Sequence, residues 1–569
     1  MDSLKILAKT TARKLTTKSG WLGDRSYNYA NLFLPQFPYT LTKQQRKVLR
    51  PSPFFSLDSN LPILILLITG LQHALACLAG VITPPMIISQ TLNFPSDLQS
   101  YMISASLICS GILSIVQMLH IKIPFTNNYI GTGIVTIVGV SFNTIPVFTS
   151  MANRMYTNGT CPINADGSRG ACPEAYGYFI GTCMLASLLE IGIALLPSKA
   201  IKKICPPVVS STVIITIACQ LLQSSGFSNW AGGSSCTDAC PSLDAPRPLP
   251  YGAIEFVGLG FLAVVTILLV EIFGSPFMKS GSLIIALAVG SIVAGACGYC
   301  VNKIRDSPAI TFLWVHTFKL KLDPPSILPI LAIYLINSVE ALGDITAASE
   351  ASRLSVLGSE FDERIQGGIL ADGLAGVFAG AMTQAPMSVF AQNNGIIALT
   401  RVANRSAGMV CAGYLILFGI LGKISGVFNS IPAPVLGGVT SFLFANVLVS
   451  GVRILSRISW QRRDRIILAT AWMFAFGVLL VPDWSANFFR GVDTSGNEAL
   501  TGWLETIETV VSTPSILGCL VAMLLNLIMP EDAIEEDAGE DVEQGKSQGD
   551  DQITEIPSEN TSQSHPEKQ

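Results

Sequence analysis

The chain has 569 residues, 50% of them hydrophobic and only 13% charged, with a mean hydropathy of +0.51. That charged share is about half of what soluble domains carry, which excludes a string of soluble domains and points to an all-α polytopic membrane protein. The net charge of −4 is weighted by an acidic tail and says little about partners, and no nucleic-acid partner is expected.

Residues 1 to 60 are polar, with scattered Lys and Arg and no cleavable signal peptide, and are assigned to the cytoplasm. Apolar spans follow near 61 to 83, 98 to 120, 128 to 148, 175 to 196, 207 to 223, 254 to 274 and 281 to 301. A second set lies near 326 to 348, 366 to 383, 385 to 403, 407 to 424, 432 to 452, 466 to 482 and 508 to 529, which makes fourteen segments in one transporter-sized bundle over 61 to 529. Residues 530 to 569 are rich in Asp, Glu, Ser and Gln and read as a disordered acidic cytoplasmic tail. From a cytoplasmic N-terminus the inward connections include 197 to 205, with three Lys, and 453 to 465, with five Arg, in keeping with the positive-inside rule.

The same count places 151 to 174 and 224 to 250 on the outer face, the first carrying an Asn158-Gly159-Thr160 sequon. Most of the thirteen cysteines sit singly in apolar spans, where Cys acts as a small hydrophobe. Cys161 and Cys172 share one outer loop and Cys236 and Cys240 another, so disulfides are expected there with their pairing open. None of the four His stands beside these cysteines, and no metal site is expected.

Two segments answer each other across the halves. The third contains Asn128-Tyr129-Ile130-Gly131-Thr132-Gly133, and the tenth contains Gln392-Asn393-Asn394-Gly395 followed by Ile396-Ile397-Ala398-Leu399-Thr400-Arg401. Amide-rich, Gly-interrupted backbone at membrane depth survives only where it lines a cavity or is covered by protein, and paired segments of this kind mark the binding site of two-repeat transporters. A repeat of seven spans is odd, so the second copy must be inverted. Gly and β-branched residues in both segments predict short strands between half-helices, whose ends would aim backbone dipoles at a ligand.

Ionisable residues sharpen the site. Asn337, Glu340 and Asp344 are spaced three and four apart and share one helix face. Gln72 and His73 lie mid-span in the first segment and Asp372 in the Gly-rich ninth. For His73 and Asp372 the alternative is a hydrogen bond to a neighbouring helix, a common use of polar residues in membrane bundles.

These motifs resemble the nucleobase ascorbate transporters, also called the nucleobase cation symporter 2 family. Gln392, Asn393, Gly395, Thr400 and Arg401 match the family signature, Gln72-His73 its first-helix motif, and Glu340-Ala341-Leu342-Gly343-Asp344-Ile345-Thr346 its eighth-helix motif. The Gln-Asn-Asn-Gly form is similar to fungal uric acid and xanthine permeases, as is Leu15-Thr16-Thr17 upstream. The resemblance implies two inverted repeats of seven, with segments 1–4 and 8–11 as a core and 5–7 and 12–14 as a gate, dimeric through the gate and working by an elevator motion at the plasma membrane with both termini inside.

It further implies proton-coupled uptake of oxidised purines, with the proton as coupling ion and no cofactor. Gln392 and Glu340 would read one edge of the purine each, while Phe142 and Ala391 match positions that hold it through main-chain atoms. Asp344, Asp372, Asn393, Gln72 and His73 match positions important for coupling or site architecture, and Thr400 and Arg401 positions that influence specificity; a positive-inside anchor is the alternative for Arg401. Which carboxylate carries the proton stays open among Glu340, Asp344 and Asp372. The competing readings are a transporter of another nucleobase such as uracil, of ascorbate, or an anion transporter of similar fold. A channel would want rings of charge, and an enzyme a nucleophile or metal constellation; no such set is found, and no catalytic residue is expected.

Overall fold

The computed structural model describes residues 14, 16–23, 27, 29–35, 53–126, 128–164, 169–196, 206–233, 240, 247–299, 304–305, 307–390, 392–456, 458–485, 487–490, 492 and 498–530. Ala391, Leu15, Cys236, the basic connection 197–205, most of the N-terminal segment and the tail from 531 onward lie outside these residues.

The first half comprises α1 (Ile63–Thr91), α2 (Ser96–Met118), strands β1 (Ile121–Lys122), β2 (Tyr129–Ile130) and β3 (Ile137–Val140), and a tight turn Phe142–Thr144 leading into α3 (Ile145–Thr157). It continues with α4 (Pro173–Ala194), α5 (Pro207–Leu221), α6 (Ile254–Phe273), the short α7 (Pro276–Ser280) and α8 (Ser282–Ala296). The second half holds α9 (Pro324–Ala351), α10 (Ser359–Ala381), β4 (Met387–Phe390), α11 (Gln392–Thr400), α12 (Arg405–Ile420), α13 (Gly422–Asn429), α14 (Ala433–Leu455), α15 (Arg462–Leu480), α16 (Glu498–Ser512) and α17 (Pro514–Ile528). Pro stands in the first turn of α4, α5, α9, α14 and α17, where its missing N–H has no intrahelical partner to lose.

Among the described residues seven helices are long and apolar enough to cross a membrane, and two bent pairs raise that to nine. The difference from fourteen has local causes. Expected segments three and ten are each half strand and half helix, α3 having thirteen residues and α11 nine, and α8 in the expected seventh segment has only fifteen. Segments 407 to 424 and 508 to 529 are broken helices: α12 meets α13 at 77°, and α16 meets α17 at 89° where Pro514 disfavours a helical conformation at Thr513, which is extended, and starts a new helix. The breaks in segments three and ten are encoded too, since Gly131 takes φ +87°, a conformation that interrupts a helix and that L side chains rarely adopt, while Pro386 stands immediately before β4.

Strand β3 pairs antiparallel with β4, Ile137 opposite Phe390 and Val140 opposite Met387. Both strands are fully buried, and the register sends the two half-helices α3 and α11 away in opposite directions. Around this pair the helices pack in matched couples. α2 lies on α12 as α10 lies on α4, α1 on α12 as α9 on α4, and α6 on α8 as α15 on α17. One body contains α1–α4 and α9–α12, and a second contains α5, α6, α8, α14, α15 and α17, with α5 against α14 at its centre. Much of α6 is exposed, including Phe261, Leu268 and Ile272, an apolar face turned away from the rest of the molecule.

Small residues set the α2–α12 spacing. A Cβ added at Gly111 would stand 2.6 Å from Ile416 Cγ1 and 2.7 Å from the Ala412 carbonyl oxygen. Gly111→Leu should therefore force the two helices apart and cost about 1–3 kcal/mol; an unchanged melting temperature in detergent would contradict this close packing. Cys161 and Cys172 form a disulfide, which settles the pairing left open for that loop, and Cys240 is disulfide-bonded as well.

Candidate functional site

The site is built where the two strand-to-half-helix crossings meet α9. The turn after β3 carries Phe142 and Asn143 inward, both more than nine-tenths buried. The Phe142 ring stacks on Phe390 at the end of β4, 6.4 Å between centroids and 14° between planes, and receives Phe444 of α14 edge-on at 5.5 Å. Phe142 thus touches both strands' crossing and the second helical body. Two residues beyond Phe390, Gln392 opens α11 with an exposed side chain. Each half-helix starts at the strand pair, so both positive dipole ends lie near the middle of the molecule.

The predicted stripe on α9 is present. Asn143 Nδ2 donates to Asn337 Oδ1 and to Glu340 Oε2, each at 2.7 Å, and Asn337 Nδ2 donates to Ser141 Oγ at 3.4 Å. These bonds hold the Glu340 carboxylate in one orientation and leave it acceptor capacity. Asp344, one turn further on, is half-buried, and its carbonyl accepts from Asn394 Nδ2 at 3.3 Å. That contact ties α11 to α9. An oriented carboxylate, an exposed amide and a stacked aromatic pair can bind a flat polar solute that offers both donors and acceptors.

The other predicted residues surround this centre. Asn393 Nδ2 lies in hydrogen-bond contact with His73 Nδ1 at 3.0 Å and donates to the His73 carbonyl at 3.4 Å, locking α11 onto α1. Asp372 on α10 is fully buried and accepts from Ser388 Oγ at 2.8 Å and from the Val389 N–H at 2.9 Å, which fixes β4. Gln72 turns away, donating to Ser280 Oγ at 3.1 Å at the end of α7, so it joins the two helical bodies. Thr400 Oγ1 bonds within its own helix to the Ile396 carbonyl at 2.7 Å, and the Arg401 carbonyl accepts from Phe55 N–H at 2.9 Å. Eight residues of helix from Gln392 carry Thr400 about 12 Å away, so the site centre does not include them. Ala391 lies outside the described residues.

Asn143 was not among the predicted residues. Its signal was thin, a single amide at the end of an apolar span, and only the pairing with Asn337 and Glu340 reveals its use. A cavity of about 1300 Å³ opens elsewhere, lined by Tyr178, Asp323, Trp503 and Glu505 among others, and none of the predicted site residues lines it. Beside it Arg154 of α3 pairs with Asp323 and donates to Thr509 of α16 at 2.8 Å. Among the described residues no group of three or more His, Cys, Asp or Glu is placed to hold a metal ion.

The model of a permease family matches residues 64–484. A purine permease of Emericella nidulans is 46% identical over 545 residues, 94% of this chain and 92% of that protein. A uric acid-xanthine permease of the same organism is 47% identical over 528 residues, 92% of this chain and 90% of that protein. Among solved structures, the murine Solute Carrier 26 family member A9 anion transporter in its inward-facing state has a TM-score of 0.50 at 12% identity, covering 73% of this chain and 65% of that one, a likeness of fold alone.

Proposed function

The chain belongs to this permease family, that of the nucleobase ascorbate transporters, and from that premise we propose that it takes up oxidised purines, xanthine and uric acid, in symport with a proton. It is a multi-pass membrane transporter and not an enzyme. The observation that carries the reading is the Glu340 carboxylate, oriented by Asn143 on the face of α9 that the Phe142 turn covers, with the Gln392 amide exposed at the start of α11. Xanthine and uric acid set ring N–H donors beside carbonyl acceptors; a carboxylate accepts from the former, and an amide serves both. The Phe142–Phe390 stack supplies an aromatic face for the ring. The two Emericella nidulans relatives, at 46% and 47% identity over most of the chain, support this substrate class.

The transport cycle in this reading is an elevator. The body of α1–α4 and α9–α12 is the moving core, and that of α5–α8 and α14–α17 the gate. Fourteen segments in two inverted repeats of seven agree with the matched helix couples and with the antiparallel β3–β4 pair, one strand from each half. The exposed apolar face of α6 suits a homodimer formed through the gate, or contact with lipid. The plasma membrane, with both termini cytoplasmic, completes the reading.

The direct test is uptake of radiolabelled xanthine in yeast lacking its own purine permeases, with uracil and ascorbate as competitors and with or without a protonophore. Concentrative uptake that collapses with the proton gradient and ignores uracil is expected; no uptake by surface-localised protein would overturn the substrate assignment. Gln392→Ala should weaken xanthine binding by about 1.5–3 kcal/mol if its hydrogen bonds are charge-assisted, roughly ten- to hundredfold. An unchanged affinity would remove Gln392 from the binding set.

A further inference from the structure

We infer that Glu190 and Asp372 form a proton-binding site inside the helical body and that the proton they share is the one moved with the solute, an assignment that rests on the symport reading above. Glu190 lies on α4 and Asp372 on α10, 1% and 0% exposed. Their side chains are hydrogen-bonded to each other. An ionised carboxylate is acceptor-only, so a hydrogen bond between two carboxyl groups requires that one of them hold a proton.

The structure also says which one. Both oxygens of Asp372 already accept, Oδ1 from the Val389 N–H and Oδ2 from the Ser388 hydroxyl. Asp372 is therefore the ionised partner, and the proton rides on Glu190. The Oε1 atom of Glu190 is buried and accepts from no neighbouring donor, which leaves its lone pairs unused. From α9, Ser338 bonds Glu190 and Tyr334 stands alongside, itself interacting with Ser187 and Cys183 of α4. Glu340 and Asp344 interact with Asp372 through space, as the Arg453 charge does with Asp344. Among the described residues no Lys or Arg forms an ion pair with either carboxyl.

The pair is wired to the solute site. Ser388 and Val389 belong to β4, which runs directly to Gln392 and is zipped to β3 just before Phe142. Loading forms the O–H bond of Glu190 and gives a neutral acid donating to one carboxylate. Release breaks that bond and leaves two carboxylates facing each other without a cation, a state of much higher energy away from water. A solute that presses on the β3–β4 crossing and a proton that settles the Glu190–Asp372 pair thus act on the same strand, and binding of either favours the other.

The test is Glu190→Gln in proteoliposomes. Gln mimics the protonated acid and still donates to Asp372, so exchange of radiolabelled xanthine for unlabelled xanthine should persist while accumulation driven by an imposed pH gradient is lost. Accumulation equal to that of the wild type would overturn the proposal. Wild-type protein that fails to accumulate xanthine under the gradient would instead overturn the symport reading. Infrared difference spectra of the wild type supply a readout independent of the variant: xanthine should alter the carbonyl stretching band of a protonated carboxylic acid in a deuterium-sensitive way, and no change in that band would also overturn it.

Discussion

Glu340→Gln is expected to abolish concentrative xanthine uptake while leaving the protein folded and at the cell surface. The substituted side chain keeps one oxygen, which can still accept from Asn143 Nδ2, so the Asn143 bridge to Asn337 and the packing of the turn after β3 survive. What changes is the second terminal atom. Where the carboxylate presents an acceptor to a purine ring N–H, the amide presents a donor, and donor meets donor. Loss of a charge-assisted hydrogen bond costs about 1.5–3 kcal/mol, and the unpaired donors add to it, so affinity should fall at least about ten- to hundredfold. Calorimetric titration of purified variant with xanthine, beside uptake into cells, checks this; full accumulation with native affinity would remove Glu340 from the ligand set. The result also separates two roles. Glu340→Gln should lose binding and exchange together, whereas Glu190→Gln should lose only the coupling.

The parts of the site that were legible in the sequence are those whose residue types are costly in a membrane. The Gln392-Asn393-Asn394-Gly395 run and the Asn337, Glu340, Asp344 stripe both fall at the centre of the fold, because amides and carboxyls at that depth need partners, and helical spacing alone puts the stripe on one face. What the sequence left open is partnership across the chain. Nothing in the spacing distinguishes Gln72, which reaches Ser280 on the far side of α1, from its neighbour His73, which meets Asn393. Thr400 belongs to the family signature, yet its hydroxyl is satisfied within its own helix. A lone Glu near the end of an apolar span, such as Glu190, carries no signal in the sequence; its burial against Asp372 sets it apart.

The fold divides in the same way. Long apolar runs announce the straight helices, but segments three and ten have the composition of spans and the conformation of a strand followed by a half-helix. Hydropathy averages over both. The β3–β4 register joins residues about 250 apart in sequence, and no local signal fixes it. The broken ends of α12–α13 and α16–α17 escaped for a related reason: each pair passes as one apolar stretch, and a bend of 77° or 89° leaves the average hydropathy untouched.

The same long-range register makes Asp372→Ala the most damaging of the substitutions to the fold itself. The carboxylate accepts from the Val389 N–H and from the Ser388 hydroxyl, both in the buried strand whose other edge pairs with β3. Truncation leaves two buried donors without acceptors, at about 1–3 kcal/mol each, or roughly 2–6 kcal/mol together. It also strips Glu190 of the group that receives its hydrogen bond. The strand pair should loosen, and because Phe390 and Gln392 follow directly on β4, the aromatic stack and the start of α11 should lose their positions with it. Asp372→Ala is therefore expected to lower the melting temperature of the detergent-purified protein and to reduce the amount at the cell surface. Asp372→Asn should recover most of the stability, since its oxygen can accept from the Val389 N–H while its amide donates to Ser388 Oγ. Equal melting temperatures for Asp372→Ala and the wild type would mean that β4 is held by its pairing with β3 alone, and that the carboxylate serves the proton without anchoring the strand.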